Sequence, residues 1–170
     1  MKDDSSAPGL EKTGDEIGMG DFWRTLGERP IGATLVTTDS ADGPNGFLGL
    51  SAAHVTASPP TMLVSIDKKT SALAGVLEKG HFAVNFLPEG HAEMANAFGG
   101  KGEKVFEAEK WGVLATGAPV LKDALGVFDC EVSQVVEEGD ISIVIGLVKG
   151  VRAAGTGAPL IFHRGKFLSE

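Results

Sequence analysis

The sequence predicts a mainly β chain, one domain whose short strands close into a barrel, and three observations carry that prediction. Runs of strand length, rich in β-branched and apolar residues, recur at 33–38, 46–51, 61–66 and 81–87, and in longer form from 124 and from 141. Turn clusters separate them, among them DSADGPNG and Glu138-Gly139-Asp140, and the 24 glycines far exceed the roughly 7% of average usage. No strand-like run leads into a GxGxxG sequence, so a doubly wound α/β sheet is not supported. At 170 residues the chain suits one core and is short for two.

Taken in order, residues 1–20 carry five acids against two bases with Ser, Gly and Pro, which predicts a flexible tail ahead of a domain over 21–170. Asp21 is placed to cap a short helix with Phe22, Trp23 and Leu26 on one side, stopped by Gly27 and Pro30. A first hairpin pairs 33–38 with 46–51, and the loop AAHVTASPP leads to an interior strand at 61–66. Ala72, Leu73, Val76 and Leu77 have helical spacing, and that helix should end near Gly80. The strand at 81–87 precedes a second helix at 89–98, closed by Gly99-Gly100. GKGEKVFEAEKWGV is a charged excursion with Phe106 and Trp111 as aromatic anchors. Two long runs then form a second hairpin about Gly139, and PLIFHRG with KFL forms a last pair joined at Gly165. Closing such a set into a barrel removes exposed strand edges.

The formal charge of −8 excludes a polyanion track and hence a nucleic-acid binder. Lys68-Lys69 and His163-Arg164 with Lys166 are the densest basic runs, each long enough for one phosphate group. The lone Cys130 lies in an alternating strand-like stretch and reads as a buried, reduced thiol. No run approaches the roughly 20 apolar residues of a membrane helix, and the N-terminus lacks the apolar core of a secretion signal, so no membrane association and a cytoplasmic location are expected. His54, His81 and His91 have no metal-like spacing with each other or with Cys130, so no metal site is expected.

The order of segments resembles the flavin-reductase-like domain family, the FMN-binding split barrels, from about 21 to 168. FWRTLGERPIGATLVTT is similar to the opening helix and first strand, and NGFLGLSAAHVTASPPTMLVSID to the second strand, cofactor loop, double proline and third strand. GHFAVNFL, AFGGKGEKVFEAEKW, GAPVLKDALGVFDCEV, EEGDISIVIGLV and PLIFHRGKF follow in the family's order. The resemblance implies a split β-barrel with Greek-key topology and a few short helices, a homodimer, FMN (or FAD) near the dimer interface, and NAD(P)H as electron donor. It also implies a separate flavin-dependent oxygenase as a possible recipient of the reduced flavin.

Three requirements follow for such a cofactor: a phosphate cradle, backbone groups along the ring edge, and apolar contact on the ring faces. Lys68 and Lys69 stand ahead of a helix whose first hydroxyls are Thr70 and Ser71, a place where free N–H groups and the helix dipole favour an anion. The plain alternative is that Thr70 caps a helix beside two solvated lysines. For the ring edge the resemblance implies Leu48, Gly49, Leu50, Ser51 and Ala52. Here Leu48 stands for a common Thr, Leu50 for a common Ser or Asn and Ala52 for a common Phe, and only Ser51 keeps its hydroxyl; the change points either to weaker flavin contacts, worth roughly 1 kcal/mol each, or to a more apolar ligand. These residues read equally as barrel core. Asp67, Asn85, Phe98, Lys101 and Phe106 fall in segments that border or close over the cofactor, although Phe98 also fits a helix's core and Asn85 needs a polar partner in any case.

The family's turn often reads Gly-Asp-His, whereas this chain has Gly139-Asp140-Ile141, which removes an ionisable group from the nicotinamide or substrate side. His163 is a candidate polar group from the closing strand. Hydride transfer needs stacked rings and exclusion of water, so no catalytic acid or base is assigned. The expected function is an NAD(P)H-dependent flavin reductase. The alternatives are a non-catalytic split barrel that holds flavin or haem, and a flavoenzyme acting on a small organic substrate.

Overall fold

A computed structural model describes residues 9–168, and residues 1–8 of the expected tail lie outside them. Residues 9–18 hold one 3-10 turn, Gly14–Glu16, and Lys12 is ion-paired to Asp21 at 2.8 Å. Helix α1 spans Met19–Gly27, beginning three residues earlier than Asp21 as a cap predicts. Gly18 is the cap residue instead, and Asp21 sits one turn in, where its carboxylate accepts the Gly18 N–H at 2.9 Å. Met19, Phe22, Trp23 and Leu26 lie at i, i+3, i+4 and i+7, one apolar stripe, yet α1 buries no residue.

The strands are β1 Ile31–Gly32, β2 Thr34–Thr38, β3 Asn45–Leu48, β4 Ala53–Ala57, β5 Pro60–Asp67, β6 His81–Phe86, β7 Trp111–Gly112, β8 Val120–Leu121, β9 Gly126–Glu138, β10 Ile141–Ala153, β11 Ile161–His163 and β12 Lys166–Leu168. Helix α2 spans Ala72–Lys79 and α3 Ala92–Asn96, the latter running into a wide π-type turn over Ala97–Lys101. Seven strands form one antiparallel ladder in the order β3-β2-β6-β9-β10-β5-β4. Among the described residues no pairing joins β3 to β4, so the ladder stays split between them. The sheets β1-β11-β12 and β7-β8 complete a mainly β fold.

Strands β2 and β6 are buried on both faces, and their buried Thr37, Thr38 and Asn85 are hydrogen-bonded inside the protein. On one face Val36, Ile66, Val76, Phe82 and Val144 form a core into which α2 packs; on the other Leu35, Ala83 and Val127 meet Phe98, Trp111 and Leu121 of the 92–124 excursion. The expected excursion thus closes the second face, with Trp111 buried and Phe106 half-buried. One expected loop is a strand: AHVTA at 53–57 pairs with β5, although every one of its residues is exposed. Its pattern lacks the alternation of a half-buried strand, and the pairing rests on backbone bonds at a sheet edge.

Candidate functional site

A cleft of about 390 Å³, at the low end of small-ligand sites, opens where the end of β3, the approach to α2 and the π-type turn meet. Phe47, Leu48 and Phe98 supply its apolar wall, and Lys69, Thr70, Ser71 and Lys104 its polar end. A wider depression of about 560 Å³ on the other side of the same turn holds Lys101 with Glu93 and Glu103, and it has no aromatic wall to receive a ring.

The polar end is built by local turn chemistry. Asp67 Oδ1 accepts the Lys69 N–H at 2.8 Å and the Asp67 carbonyl accepts the Thr70 N–H at 2.8 Å, a tight turn that sets Lys69, Thr70 and Ser71 immediately before α2. No side chain caps α2, and the Leu73 N–H in its first turn bonds the Thr70 carbonyl at 3.1 Å. Asn45, at the start of β3, donates through Nδ2 to Ser71 Oγ at 3.2 Å and accepts from Lys104 Nζ through Oδ1 at 3.4 Å. Partial burial of Lys104 lowers its pKa from the ordinary 10.5.

The apolar wall is stiff. Gly49 packs its backbone so closely that an added Cβ would lie 2.5 Å from Val36 Cγ2, and its N–H bonds the Thr34 carbonyl at 2.9 Å. Behind Phe98 stand Phe106, with ring centroids 5.3 Å apart, and Trp111, 4.8 Å beyond Phe106.

The expected site residues divide accordingly. Leu48, Lys69, Thr70, Ser71 and Phe98 line the cleft, Phe106 supports it, and Gly49 sits just behind. Lys68 does not line it: Nζ pairs with Glu137 at 2.9 Å and donates to the Gly139 carbonyl at 2.9 Å. The Asp67 carboxylate is taken up by its own turn. Asn85 is fully buried and spent inside the protein, donating to the Leu35 carbonyl and Thr37 Oγ1 and accepting the Leu121 N–H at 2.8 Å. Its need for partners was legible, but those partners are protein atoms. Leu50, Ser51 and Ala52 do not line the cleft, and Ser51 Oγ donates to the Ser65 carbonyl at 3.3 Å. Lys101 belongs to the wider depression. Ile141 pairs with Asp67 across β10 and β5, and the Lys68 N–H bonds the Asp140 carbonyl, which stitches that turn beside the cleft without lining it. His163 lies in β11, half-buried, and does not line the cleft.

Asn45, Phe47 and Lys104 line or bridge the cleft and were not singled out from the sequence. Lys104 sits within a charged excursion, and its partner Asn45 is 59 residues away, a relation that no local pattern reports.

The donor set fits a flavin mononucleotide. Two ammonium groups and two hydroxyls stand at one end for a phosphate, and Phe47, Leu48 and Phe98 offer aromatic and branched surface for a flat ring.

Residues 26–169 match the family described as flavin reductase like domain. The chain is 36% identical over 156 residues to an FMN reductase (NADH) RutF of Agrobacterium fabrum, covering 90% of this chain and 89% of that one. Among solved structures it is similar to the NADH:FAD oxidoreductase SgcE6 of Streptomyces globisporus, with a TM-score of 0.84, 25% identity and coverage of 96% and 99%. SgcE6 has also been solved in complex with NAD and FAD fragments. Nitrilotriacetate monooxygenase component B from Mycobacterium thermoresistibile superposes with a TM-score of 0.76 at 28% identity, over 86% of this chain and 83% of that one.

Proposed function

The chain belongs to the flavin reductase-like domain family, and from that premise we propose that it is an NADH-dependent flavin reductase whose cleft between β3, α2 and the π-type turn holds FMN. The observation that carries this reading is the polarity of the cleft. Lys69, Thr70, Ser71 and Lys104 gather at one end, and an apolar wall of Phe47, Leu48 and Phe98 continues from them. The likeness to SgcE6 makes FAD a second acceptor to test.

Bound flavin supplies a hydride acceptor for the reduced nicotinamide. The chain's own part is to bind and to orient: the cations and hydroxyls hold the phosphate, and the stiff wall fixes the ring plane and excludes water. No side-chain acid or base is needed. Ile141, stitched beside the cleft through Asp67, presents an apolar flank on the nicotinamide side.

The active unit is a homodimer built from one domain over residues 21–170. In support, Met19, Phe22, Trp23 and Leu26 on α1 are 77, 55, 61 and 50% exposed, a contiguous apolar stripe that a second copy would cover. Sedimentation should give a dimer for the native chain and a monomer for Trp23→Glu. A separate oxygenase receives the reduced flavin, in keeping with the monooxygenase component among the structural relatives. Among the described residues no helix is long and apolar enough to cross a membrane, and we place the protein in the cytoplasm, where a lone thiol such as Cys130 stays reduced.

The deciding experiment is an absorbance spectrum of the purified protein with added FMN, followed by anaerobic NADH or NADPH. Bleaching of the flavin band with NADH oxidation is expected. Failure to bind FMN, or binding with no nicotinamide oxidation, overturns the proposal.

A further inference from the structure

Several cations of the described residues are matched by carboxylates in the open, as in Lys12 with Asp21, Lys68 with Glu137, Lys110 with Glu107 and Arg164 with Glu28, at 2.7–2.9 Å. Lys104 is different. It is half-buried, it forms no ion pair among the described residues, and its hydrogen-bond partner is the neutral amide oxygen of Asn45 at 3.4 Å. The chain carries 23 acids against 15 bases, so a partly buried ammonium left on an amide is not a matter of scarce carboxylates. Burial without an opposite charge costs free energy, as the lowered pKa of Lys104 registers. An anion in the cleft would remove that cost.

The amide leads across the site. Asn45 Nδ2 reaches Ser71 Oγ at 3.2 Å, so one hydrogen-bonded chain, Lys104–Asn45–Ser71, spans from the excursion after the π-type turn to the start of α2. Lys69 stands at the same end of the cleft, and its ammonium likewise has no carboxylate partner among the described residues.

We propose that Lys104 is the residue that makes the site select phosphorylated flavins over riboflavin, exchanging Asn45 for the phosphate opposite Lys69. The assignment rests on the flavin-binding reading above and gives the second cationic position to Lys104, with Lys68 held by Glu137. A phosphate carrying about −1.5 to −2 charges meets two ammonium groups and the hydroxyls of Thr70 and Ser71. The neutral ribityl end of riboflavin offers Lys104 only another neutral partner.

Binding, rather than turnover, tests this. FMN and riboflavin are titrated by flavin fluorescence into the native protein, Lys104→Met and Lys104→Arg, with inorganic phosphate as a competitor. In parallel, the native protein is acetylated and Lys104 modification is mapped by mass spectrometry. FMN should bind the native chain more tightly than riboflavin, and Lys104→Met should weaken FMN about tenfold or more while moving riboflavin less than about twofold. Lys104→Arg should restore most of the difference. Phosphate should compete with FMN and not with riboflavin, and FMN but not riboflavin should protect Lys104 from acetylation. Equal weakening of both flavins marks a merely structural lysine and overturns the proposal, as does FMN binding that ignores the substitution. Equal native affinity for the two flavins overturns it while the flavin reductase reading survives. A native chain that binds neither overturns both.

Discussion

Lys68 Nζ stands 2.9 Å from Glu137 Oε2, an exposed ion pair that draws one of two adjacent lysines away from the cleft. The bond from Lys68 is the foremost cause of the lowered Glu137 pKa, followed by the Ser142 hydroxyl, and the same ammonium donates to the Gly139 carbonyl. Lys68 therefore ties α2's approach to the β9–β10 turn. Lys69 lines the cleft. Lys69→Gln should weaken FMN binding about tenfold, whereas Lys68→Gln should change it less than about threefold. Fluorescence titration of the two variants checks the contrast.

Asn85 joins β2, β6 and β8 from a fully buried position. In Asn85→Leu the Leu35 carbonyl, Thr37 Oγ1 and the Leu121 N–H lose their shared partner. Thr37 Oγ1 keeps its bond to the Pro119 carbonyl, so the expected loss is roughly 1–3 kcal/mol, the cost of a buried group left unpaired. Urea unfolding read by circular dichroism measures it.

Cys130 is fully buried between Phe82 and Val148 in their neighbouring strands, and burial, followed by the adjacent Asp129 charge, pushes its pKa up from 9.0 to about 12. The folded thiol keeps its proton where the unfolded one has lost it. This stabilisation is complete below the unfolded value of 9.0 and is lost as pH rises from there towards about 12. The native protein should ignore a disulfide thiol reagent at pH 8 and react only on unfolding. Cys130→Ala should flatten the alkaline limb of the stability profile, measured by thermal melts across pH.

Gly146 of β10 leaves no room for a side chain. A Cβ there would lie 2.7 Å from the Phe82 ring and 2.9 Å from Cys130 Cβ, both residues fully buried. Gly146→Ala should cost about 1–3 kcal/mol through overpacking, visible as a lower melting temperature.

Much of the architecture was legible because it rests on local pattern. The β-branched runs at 34–38 and 61–66, the helical spacing of Ala72, Leu73 and Val76, and the turn at Gly139 all report their own state. Strand β4 was not legible, since AHVTA is exposed throughout and gains its state from backbone pairing with β5. The cleft was half legible. Lys69, Thr70 and Ser71 announce a helix start, but the roles of Asp67, Lys68, Asn85 and Lys104 are set by atoms distant in sequence. Only folding shows that Glu137 claims one lysine and that Asn45 meets another.

The hydrogen bonds that join β3, the start of α2 and the segment after the π-type turn run through a single carboxamide, that of Asn45. A molecule lodged among these stretches acts as a keystone, and mass action ties the folded population to its concentration, adding about 2.7 kcal/mol at a hundred times its dissociation constant. Saturating the cleft with such a ligand should therefore raise the melting temperature of the chain.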